Sequence, residues 1–395
     1  MRLLDTATLD FAEFSGAIPK YAILSHRWGK IEVSYKQLRQ RPVLQDSPGL
    51  AKIEEFCRLA AGRSIRWAWI DTCCIDKRNS AELSEAIMSM YKWYEFSAEC
   101  YVHLADFEIS SRELSLKNQS AESFWHIPEG WPSIRDSFSK SSWFTRGWTL
   151  QELIASSKVV FYDSHWNEIA PLKQVYRDVA EVTRIGENWL VEDARHASVA
   201  TRMSWASCRE TELGEDMACC LLGFCNVNMP PMYGEGGEIA FYRLQTEIMK
   251  TSDDESLFAW TSDQGGSGLL AAHLSYFANS GGITMETHAG SESRPPYHMT
   301  NKRLEIAIPK KDFKLFSEGD GTVRFFLRCS RASNINAQKC DKAFYIELSL
   351  LMGQRSAIRT ECAELKETGK YLIGQLDTDL AHNERIYIFS PGSEV

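Results

Sequence analysis

The sequence lacks several features that identify common protein classes. Its 395 residues contain no apolar run long enough to span a membrane, no Lys/Arg cluster, no Gly-Lys-Ser/Thr phosphate loop and no Cys-x-x-Cys pair. These absences argue against a membrane span, a nucleic-acid-coating protein, a P-loop NTPase and a structural zinc site. The first residues also lack the apolar core of a secretory signal, so we expect a cytoplasmic protein with reduced cysteines and no bound metal.

Tryptophan is absent from the C-terminal third of the chain. All 12 Trp lie between Trp28 and Trp260. The net charge of −9 divides at the same place, because residues 261–395 carry equal numbers of acidic and basic side chains. A Gly/Ser-rich stretch at residues 263–268 has the composition of a linker. Composition therefore predicts an acidic, Trp-rich N-terminal part and a distinct C-terminal domain.

The pattern of apolar residues predicts an α/β fold. Strand-length apolar runs at residues 21–25, 65–71, 99–106 and 158–163 alternate with helical patterns at 48–63, 80–97 and 142–155. This alternation is typical of a parallel sheet flanked by helices. We expect three parts: an α/β domain at 1–163, its helical extension at 164–262, and a β-rich accessory domain at 269–395.

Polar and aromatic side chains follow the first two predicted strands. In an open parallel sheet, ligands bind at the carboxyl ends of the strands. The alternative is that these loops are polar only because they face water. The candidate ligand-binding residues in the two loops are Ser25, His26, Arg27, Trp28, Asp71, Cys74 and Asp76.

A second candidate cluster lies on the predicted helix 142–155. Trp148 and Glu152 are four residues apart and share a helix face, and Arg146 lies about half a turn away. An indole can stack on a base or a nicotinamide ring, while apolar surroundings raise the pKa of a neighbouring carboxyl group. The alternative is a surface Glu152 that pairs with Arg146.

Cys74 and His26 define a third arrangement, since both follow adjacent predicted strands and could form a nucleophile and its base. The alternative is that Cys74 is a small buried residue that closes its loop. A hydrolase that uses Cys74 is the weakest of the functional hypotheses.

Several segments together resemble a known family. YAILSHRWG, WAWIDTCCIDK, AELSEAI, WFTRGWTLQEL, GEDMACCLLGF and MPPMYGEGGEIAFYRLQTEI are similar, in order and spacing, to segments of the fungal heterokaryon-incompatibility (HET) domain proteins. The resemblance covers about residues 1–260, and it implies a role in non-self recognition and programmed cell death. One departure is that Glu212-Leu213 precedes Gly214-Glu215-Asp216, where the family often has Thr-Arg before Glu-Asp.

The resemblance also implies a fold and an activity. HET domains are considered remote relatives of Toll/interleukin-1-receptor (TIR) domains, which have a flavodoxin-like sheet, and several TIR domains cleave NAD. Their catalytic Glu lies in a Trp-x-x-x-Glu pattern that Trp148 and Glu152 match. By this likeness Glu152 is catalytic, Trp148 or Trp28 stacks a ring, and Arg27 or Arg146 binds the pyrophosphate.

The remaining expectations follow from the same likeness. NAD is then a substrate, and no separate cofactor is expected. Activation through a homo-oligomer and an upstream sensor protein is expected, without nucleic acid. The alternative is a non-catalytic module that binds a nucleotide or partner and assembles to trigger cell death.

Overall fold

The computed structural model describes residues 1–40, 47–110, 131–263, 269–285 and 297–299, together with seven strand segments between residues 303 and 389. The described residues form two compact units. The first unit comprises Met1–Ala194, Arg209–Phe224 and Asn228–Pro231. The second comprises Arg195–Cys208, Cys225–Val227 and the described residues from Met232 onward. The three-part division expected from the sequence stays a prediction, and the expected linker lies outside the described residues apart from Asp263.

The first unit contains a seven-stranded sheet. Its strands are β1 (Arg2–Asp5), β2 (Phe11–Glu13), β3 (Tyr21–His26), β4 (Trp67–Trp69), β5 (Glu99–His103), β6 (Val159–Tyr162) and β7 (Glu168–Pro171). Their spatial order is β2-β1-β4-β3-β5-β6-β7. The four central strands, β4, β3, β5 and β6, are parallel, whereas the pairings at both edges are antiparallel. The predicted α/β class with a parallel sheet is confirmed.

The order of the parallel strands defines a topological switch point. The chain passes from β3 to β4 on one side and then places β5 on the other side of β3. This is the 2-1-3-4 order found in flavodoxin-like sheets, in which ligands bind beyond the carboxyl ends of the first and third strands. The residues at the ends of β3 and β5 therefore occupy the place where such a fold binds its ligand.

Helices flank this sheet and also occur in the second unit. They are α1 (Tyr35–Arg39), α2 (Pro48–Gly62), α3 (Asp71–Cys74), α4 (Ser80–Glu95), α5 (Trp131–Ser139), α6 (Trp148–Ala155), α7 (Leu172–Thr183), α8 (Val199–Ala206), α9 (Gly214–Cys219) and α10 (Gly237–Thr251). Pro48 opens α2, where its missing N–H costs nothing. The Asn79 side chain is the N-cap of α4, since it accepts hydrogen bonds from the backbone N–H groups of Ala81 and Glu82.

The two faces of the sheet carry different side chains because strand residues alternate. On one face, the Phe56 ring of α2 contacts Tyr101 at 5.3 Å between centroids. On the other, Tyr94 of α4 contacts Trp69 at 6.0 Å, and Trp143 contacts Phe161 at 5.9 Å. Apolar burial on both faces explains why the central strands are almost entirely buried.

The predicted single helix at 142–155 is wrong in one respect. A 3-10 turn at Ser142–Thr145 precedes α6, and Arg146 between them is extended, with φ −79° and ψ 136°. Arg146 leaves the helical conformation where the chain pairs with Glu210. The Glu210 N–H donates to Thr145 O at 2.7 Å, and the Gly147 N–H donates to Glu210 O at 2.8 Å. Arg146 therefore does not share a helix with Glu152.

The second unit contains a nine-stranded sheet. Its strands are β8 (Ile283–Met285), β9 (His298–Met299), β10 (Arg303–Ile308), β11 (Phe313–Phe316), β12 (Thr322–Arg331), β13 (Lys342–Leu350), β14 (Ser356–Arg359), β15 (Lys366–Gly369) and β16 (Glu384–Phe389). Most pairings are antiparallel, and β14 with β16 is parallel. The predicted β-rich character of this region is confirmed. Among the described residues, no helix has both the length and the apolar character needed to cross a membrane.

Candidate functional site

The carboxyl end of β3 sends its last two side chains to opposite faces of the sheet. Ser25 pairs in register with Val102, and His26 with His103, so the two positions alternate between faces. Both side chains are buried. The strand thus contributes one polar group to each face, next to the switch point between β3 and β5.

Ser25 connects to Glu152 through a buried hydrogen-bond chain. The Trp143 indole N–H donates to Ser25 Oγ at 2.9 Å, and the Ser25 hydroxyl donates to Glu152 Oε2. Glu152 is only 7% exposed. Burial raises its pKa to about 8, although the bond from Ser25 acts in the opposite direction. Because the charged form is disfavoured, this carboxyl group is mostly protonated near neutral pH in the ligand-free chain.

A second cluster surrounds the Trp28 indole. Its N–H donates to Asp71 Oδ2 at 2.7 Å. The Lys77 ammonium lies 3.4 Å from the ring centroid, and the Arg146 guanidinium carbon lies 5.4 Å from it. Trp28 remains 37% exposed. Asp71 links this cluster to Glu152, because its negative charge is one of the influences that raise the pKa of that carboxyl.

His26 belongs to a third group on the α2 face. Its Nε2 lies 3.7 Å from Glu32 Oε2, and its Nδ1 lies 4.0 Å from Asp71 Oδ1. The Lys52 ammonium is within 2.6 Å of Glu32 Oε1. Burial alone would raise the pKa of Glu32, but the contacts with His26 and Lys52 outweigh it and lower the pKa to about 2. Glu32 is therefore a fixed negative charge beside the imidazole.

His103 lies in register with His26 on the same face. Its ring stacks on Trp166 at 4.3 Å between centroids, with an interplanar angle of 17°. Burial lowers its pKa to about 4, and the neighbouring His26 acts in the same direction. His103 is therefore neutral at physiological pH. Among the described residues, no group of three or more His, Cys, Asp or Glu side chains is arranged to hold a metal ion.

The structure thus brings together part of the predicted set. Ser25 and Glu152 are bonded to each other, and Trp28 contacts Asp71 and Arg146. His26 approaches this group through Asp71. The alternative of a surface Glu152 paired with Arg146 is wrong, because Glu152 is buried and Arg146 pairs with Glu212 at 3.2 Å.

Other predicted residues lie away from Glu152 or have other partners. Arg27 is exposed. The Trp148 indole N–H donates to Asp216 Oδ2 at 3.1 Å. Asp216 belongs to the Gly214-Glu215-Asp216 segment that follows the departure from the family pattern, and it therefore has a hydrogen-bond partner. Asp76 pairs with Arg78 at 2.7 Å. The roles predicted for these residues stay predictions.

Cys74 lies beside a different cavity. Its Sγ accepts the Ile70 N–H at 3.4 Å, and its carbonyl accepts from Arg2 at 3.2 Å. The cavity has a volume of about 760 Å³ and includes Arg2 and Glu82 in its lining. It is a large opening, but the buried acid and the clustered cations lie elsewhere. We therefore place the candidate site at Glu152.

Sequence reasoning missed three side chains that shape the site. Trp143 holds Ser25, and Lys77 lies on Trp28. Buried Arg209 donates to Arg146 O at 2.9 Å and to Thr149 Oγ1 at 3.0 Å, which fixes the break before α6. Burial lowers the pKa of Arg209 to about 10. Trp143 and Lys77 occur within the family-like segments, but only the fold shows what they contact.

Comparison with known proteins assigns a class to this arrangement. Residues 21–152 match the family described as Heterokaryon incompatibility protein (HET), a span that begins with β3 and ends at Glu152. Residues 239–293 match a Domain of unknown function (DUF8212). Residues 21–152 therefore form a HET domain, and the resemblance stated from the sequence is confirmed for this region. No solved structure matches the chain, and the relation to TIR domains stays a prediction.

A curated relative extends this result. The chain is 43% identical over 240 residues to the Vegetative incompatibility protein HET-E-1 of Podospora anserina. The alignment covers 60% of this chain but only 16% of the relative. The similarity therefore concerns one region of a much longer protein.

Proposed function

We propose that this protein acts in heterokaryon incompatibility, as a cytoplasmic effector of non-self recognition that triggers programmed cell death. The HET match and the relative named as a vegetative incompatibility protein support this role. We further propose that the chain acts by hydrolysing NAD at the bond between nicotinamide and ribose. The observation that carries this second step is the buried Ser25–Glu152 pair at the switch point of the sheet.

The reaction requires little from general acid catalysis. The bond between ribose C1′ and the nicotinamide nitrogen breaks, and its electron pair leaves with neutral nicotinamide. Positive charge develops at the ribose, and a nearby carboxylate stabilises it. Water then adds to C1′ and loses a proton, which yields ADP-ribose. In this scheme Glu152 is the stabilising group, and Ser25 positions it through their hydrogen bond.

The protonation of Glu152 gives this scheme a pH dependence. The ionised form is the one that stabilises positive charge, and burial raises the pKa to about 8. Nicotinamide release under subsaturating NAD should therefore increase as the pH rises towards about 8. A profile that falls over this range would contradict the role of an ionised Glu152.

The burial of the Glu152 carboxyl group favours a second function. Glu152 is 7% exposed and is already bonded to Ser25 in the ligand-free chain. A buried hydrogen bond whose role is only to stabilise the fold has the same burial and the same partners. The alternative is a non-catalytic module whose rim binds a nucleotide or a partner domain, and whose assembly triggers cell death. Both functions include homo-oligomerisation and an upstream sensor.

The deciding experiment measures nicotinamide release by the full chain, alone and held in an oligomer by a fused oligomerisation domain. Glu152→Gln is the informative variant, because an amide oxygen can still accept the Ser25 hydroxyl. Glu212→Gln is the matched control, since it changes an exposed acid that contacts Arg146. The proposal expects turnover by wild type and Glu212→Gln and its loss in Glu152→Gln.

Two outcomes contradict the catalytic proposal in different ways. Equal turnover by Glu152→Gln and wild type removes Glu152 as the reacting group. No turnover by the oligomerised wild type, combined with cell death on expression in a filamentous fungus, supports the non-catalytic module instead.

A further inference from the structure

Three separate loops converge on one indole at the carboxyl ends of the strands. Trp28 follows β3, Lys77 lies in the turn between α3 and α4, and Arg146 precedes α6. Lys77 Nζ is 3.4 Å and Arg146 Cζ is 5.4 Å from the Trp28 ring centroid. Two cations therefore approach the same ring in a chain whose net charge is −9. Such contacts are favourable but weaker than contact with a full negative charge.

Burial lowers the pKa of Lys77, whereas the nearby charges of Asp71 and Glu32 act in the opposite direction. Within the described part of the chain, no carboxylate lies at ion-pair distance from its ammonium group. Arg78, the next residue, instead pairs with Asp76 at 2.7 Å. Arg146 pairs with Glu212, whose side chain is 67% exposed, so this ion pair is weak in water. The two cations at Trp28 thus retain capacity to bind an anion.

Their position connects this capacity to the buried acid. Asp71 accepts the Trp28 N–H at 2.7 Å, and the charges of Asp71 and Arg146 both act on Glu152. An anion bound by Lys77 and Arg146 would therefore lie at the same rim as the Ser25–Glu152 pair. A dinucleotide carries such an anion, its diphosphate bridge, between two ribose units.

We propose that Lys77, together with Arg146, binds the diphosphate bridge of a dinucleotide substrate. When the two cations bind the phosphates they no longer contact the Trp28 ring, and the ring then stacks on one of the bases. This assignment rests on the proposed dinucleotide site and adds Lys77 as its specificity residue. A guanidinium binds phosphate through paired N–H groups, while an ammonium contributes a compact charge. The ligand thus replaces a cation–ring contact with two charge-assisted contacts and a ring–ring contact.

The substrate class follows from this arrangement. Ligands with a diphosphate bridge should bind well, and the corresponding nucleosides without phosphate should bind poorly. Binding should weaken as salt concentration rises, because the contact is between charged groups at a solvent-accessible rim.

The test measures binding by calorimetry with the full chain, without any need for turnover. The probes are ADP-ribose, which has the diphosphate bridge, and adenosine, which lacks it. Lys77→Gln should raise the Kd for ADP-ribose about tenfold or more. Lys77→Arg should restore most of the affinity, and Arg78→Gln, the matched neighbouring cation, should change little. Far-UV circular dichroism and thermal unfolding check that each variant is folded.

Four results would overturn the assignment, three of them from comparing variants or probes. These are an unchanged Kd in Lys77→Gln, an equal loss in Arg78→Gln, or equal affinity of the wild type for adenosine and ADP-ribose. Absence of ADP-ribose binding by the wild type also overturns it. If Lys77-dependent binding is found but no nicotinamide is released, the diphosphate site stands and the proposed hydrolysis fails.

Discussion

Replacing Glu152 with Gln should remove a large part of the pH dependence of folding stability. In the folded chain burial raises the pKa of Glu152 to about 8, from an ordinary value of 4.5. Between these two values the folded state holds a proton that the unfolded state has lost. The free energy of unfolding therefore decreases as the pH rises through this window, and the stabilising effect is fully present only below the lower value.

The magnitude follows from the linkage relation. Each pH unit inside the window changes the free energy of unfolding by up to about 1.4 kcal/mol. From about pH 5 to about pH 8, Glu152 alone should therefore cost the wild type roughly 3 kcal/mol. Glu152→Gln has no proton to lose, so the difference between variant and wild type should increase by this amount over the same range.

The assay is urea unfolding at a series of pH values, with extrapolation to water. Indole fluorescence is a suitable signal because all 12 Trp lie between Trp28 and Trp260. Glu212→Gln changes an exposed acid instead, and its curve should run parallel to that of the wild type. Parallel curves for Glu152→Gln and wild type would refute the conclusion that the buried carboxyl is protonated.

Two further predictions concern the elements that hold the site. Ser25→Ala should lower stability by about 1–3 kcal/mol in urea unfolding, because the Trp143 indole N–H and the buried acid both lose their partner. Gly147→Ala should also destabilise, by about 1–3 kcal/mol, since its Cβ would lie 2.6 Å from Thr211 Cγ2. Gly62→Ala is the control, because the added Cβ would meet no atom within 4 Å and Ala favours the helix; a larger loss in this variant than in Gly147→Ala would contradict the packing argument.

Local patterns in the sequence were sufficient to predict most elements of the first sheet and several helices. The apolar stripe of α2 and the buried run of β5 are set by residues close in sequence, so their periods identify them. The shortest strands were harder to predict. Strand β2 has only three residues, too few to show a period. Strand β4 was predicted at 65–71, but only Trp67–Trp69 form it, so its bounds were not predicted.

Part of the candidate site could be predicted from the rule that ligands bind at the carboxyl ends of the strands in an open parallel sheet. That rule placed Ser25 at the rim, and the Trp-x-x-x-Glu resemblance identified Glu152. The contacts of Trp143 and Lys77 were not predictable, because they depend on segments 118 and 49 residues away from their partners in sequence. Nothing in local periodicity specifies such pairs.

The break at Arg146 shows how a distant segment changes the chemistry of the rim. In a continuous helix, Arg146 would follow the helical rotation and would occupy a different position relative to Trp28. Pairing of the chain with Glu210, reinforced by Arg209, extends the backbone at Arg146 instead. This places the guanidinium 5.4 Å from the Trp28 ring while Glu152 stays buried one helical turn beyond Trp148. Both proposals depend on the separation of the cations at Trp28 from the buried Glu152. This separation is produced by Arg209 and Glu210, which lie outside the segment that contains Arg146 and Glu152.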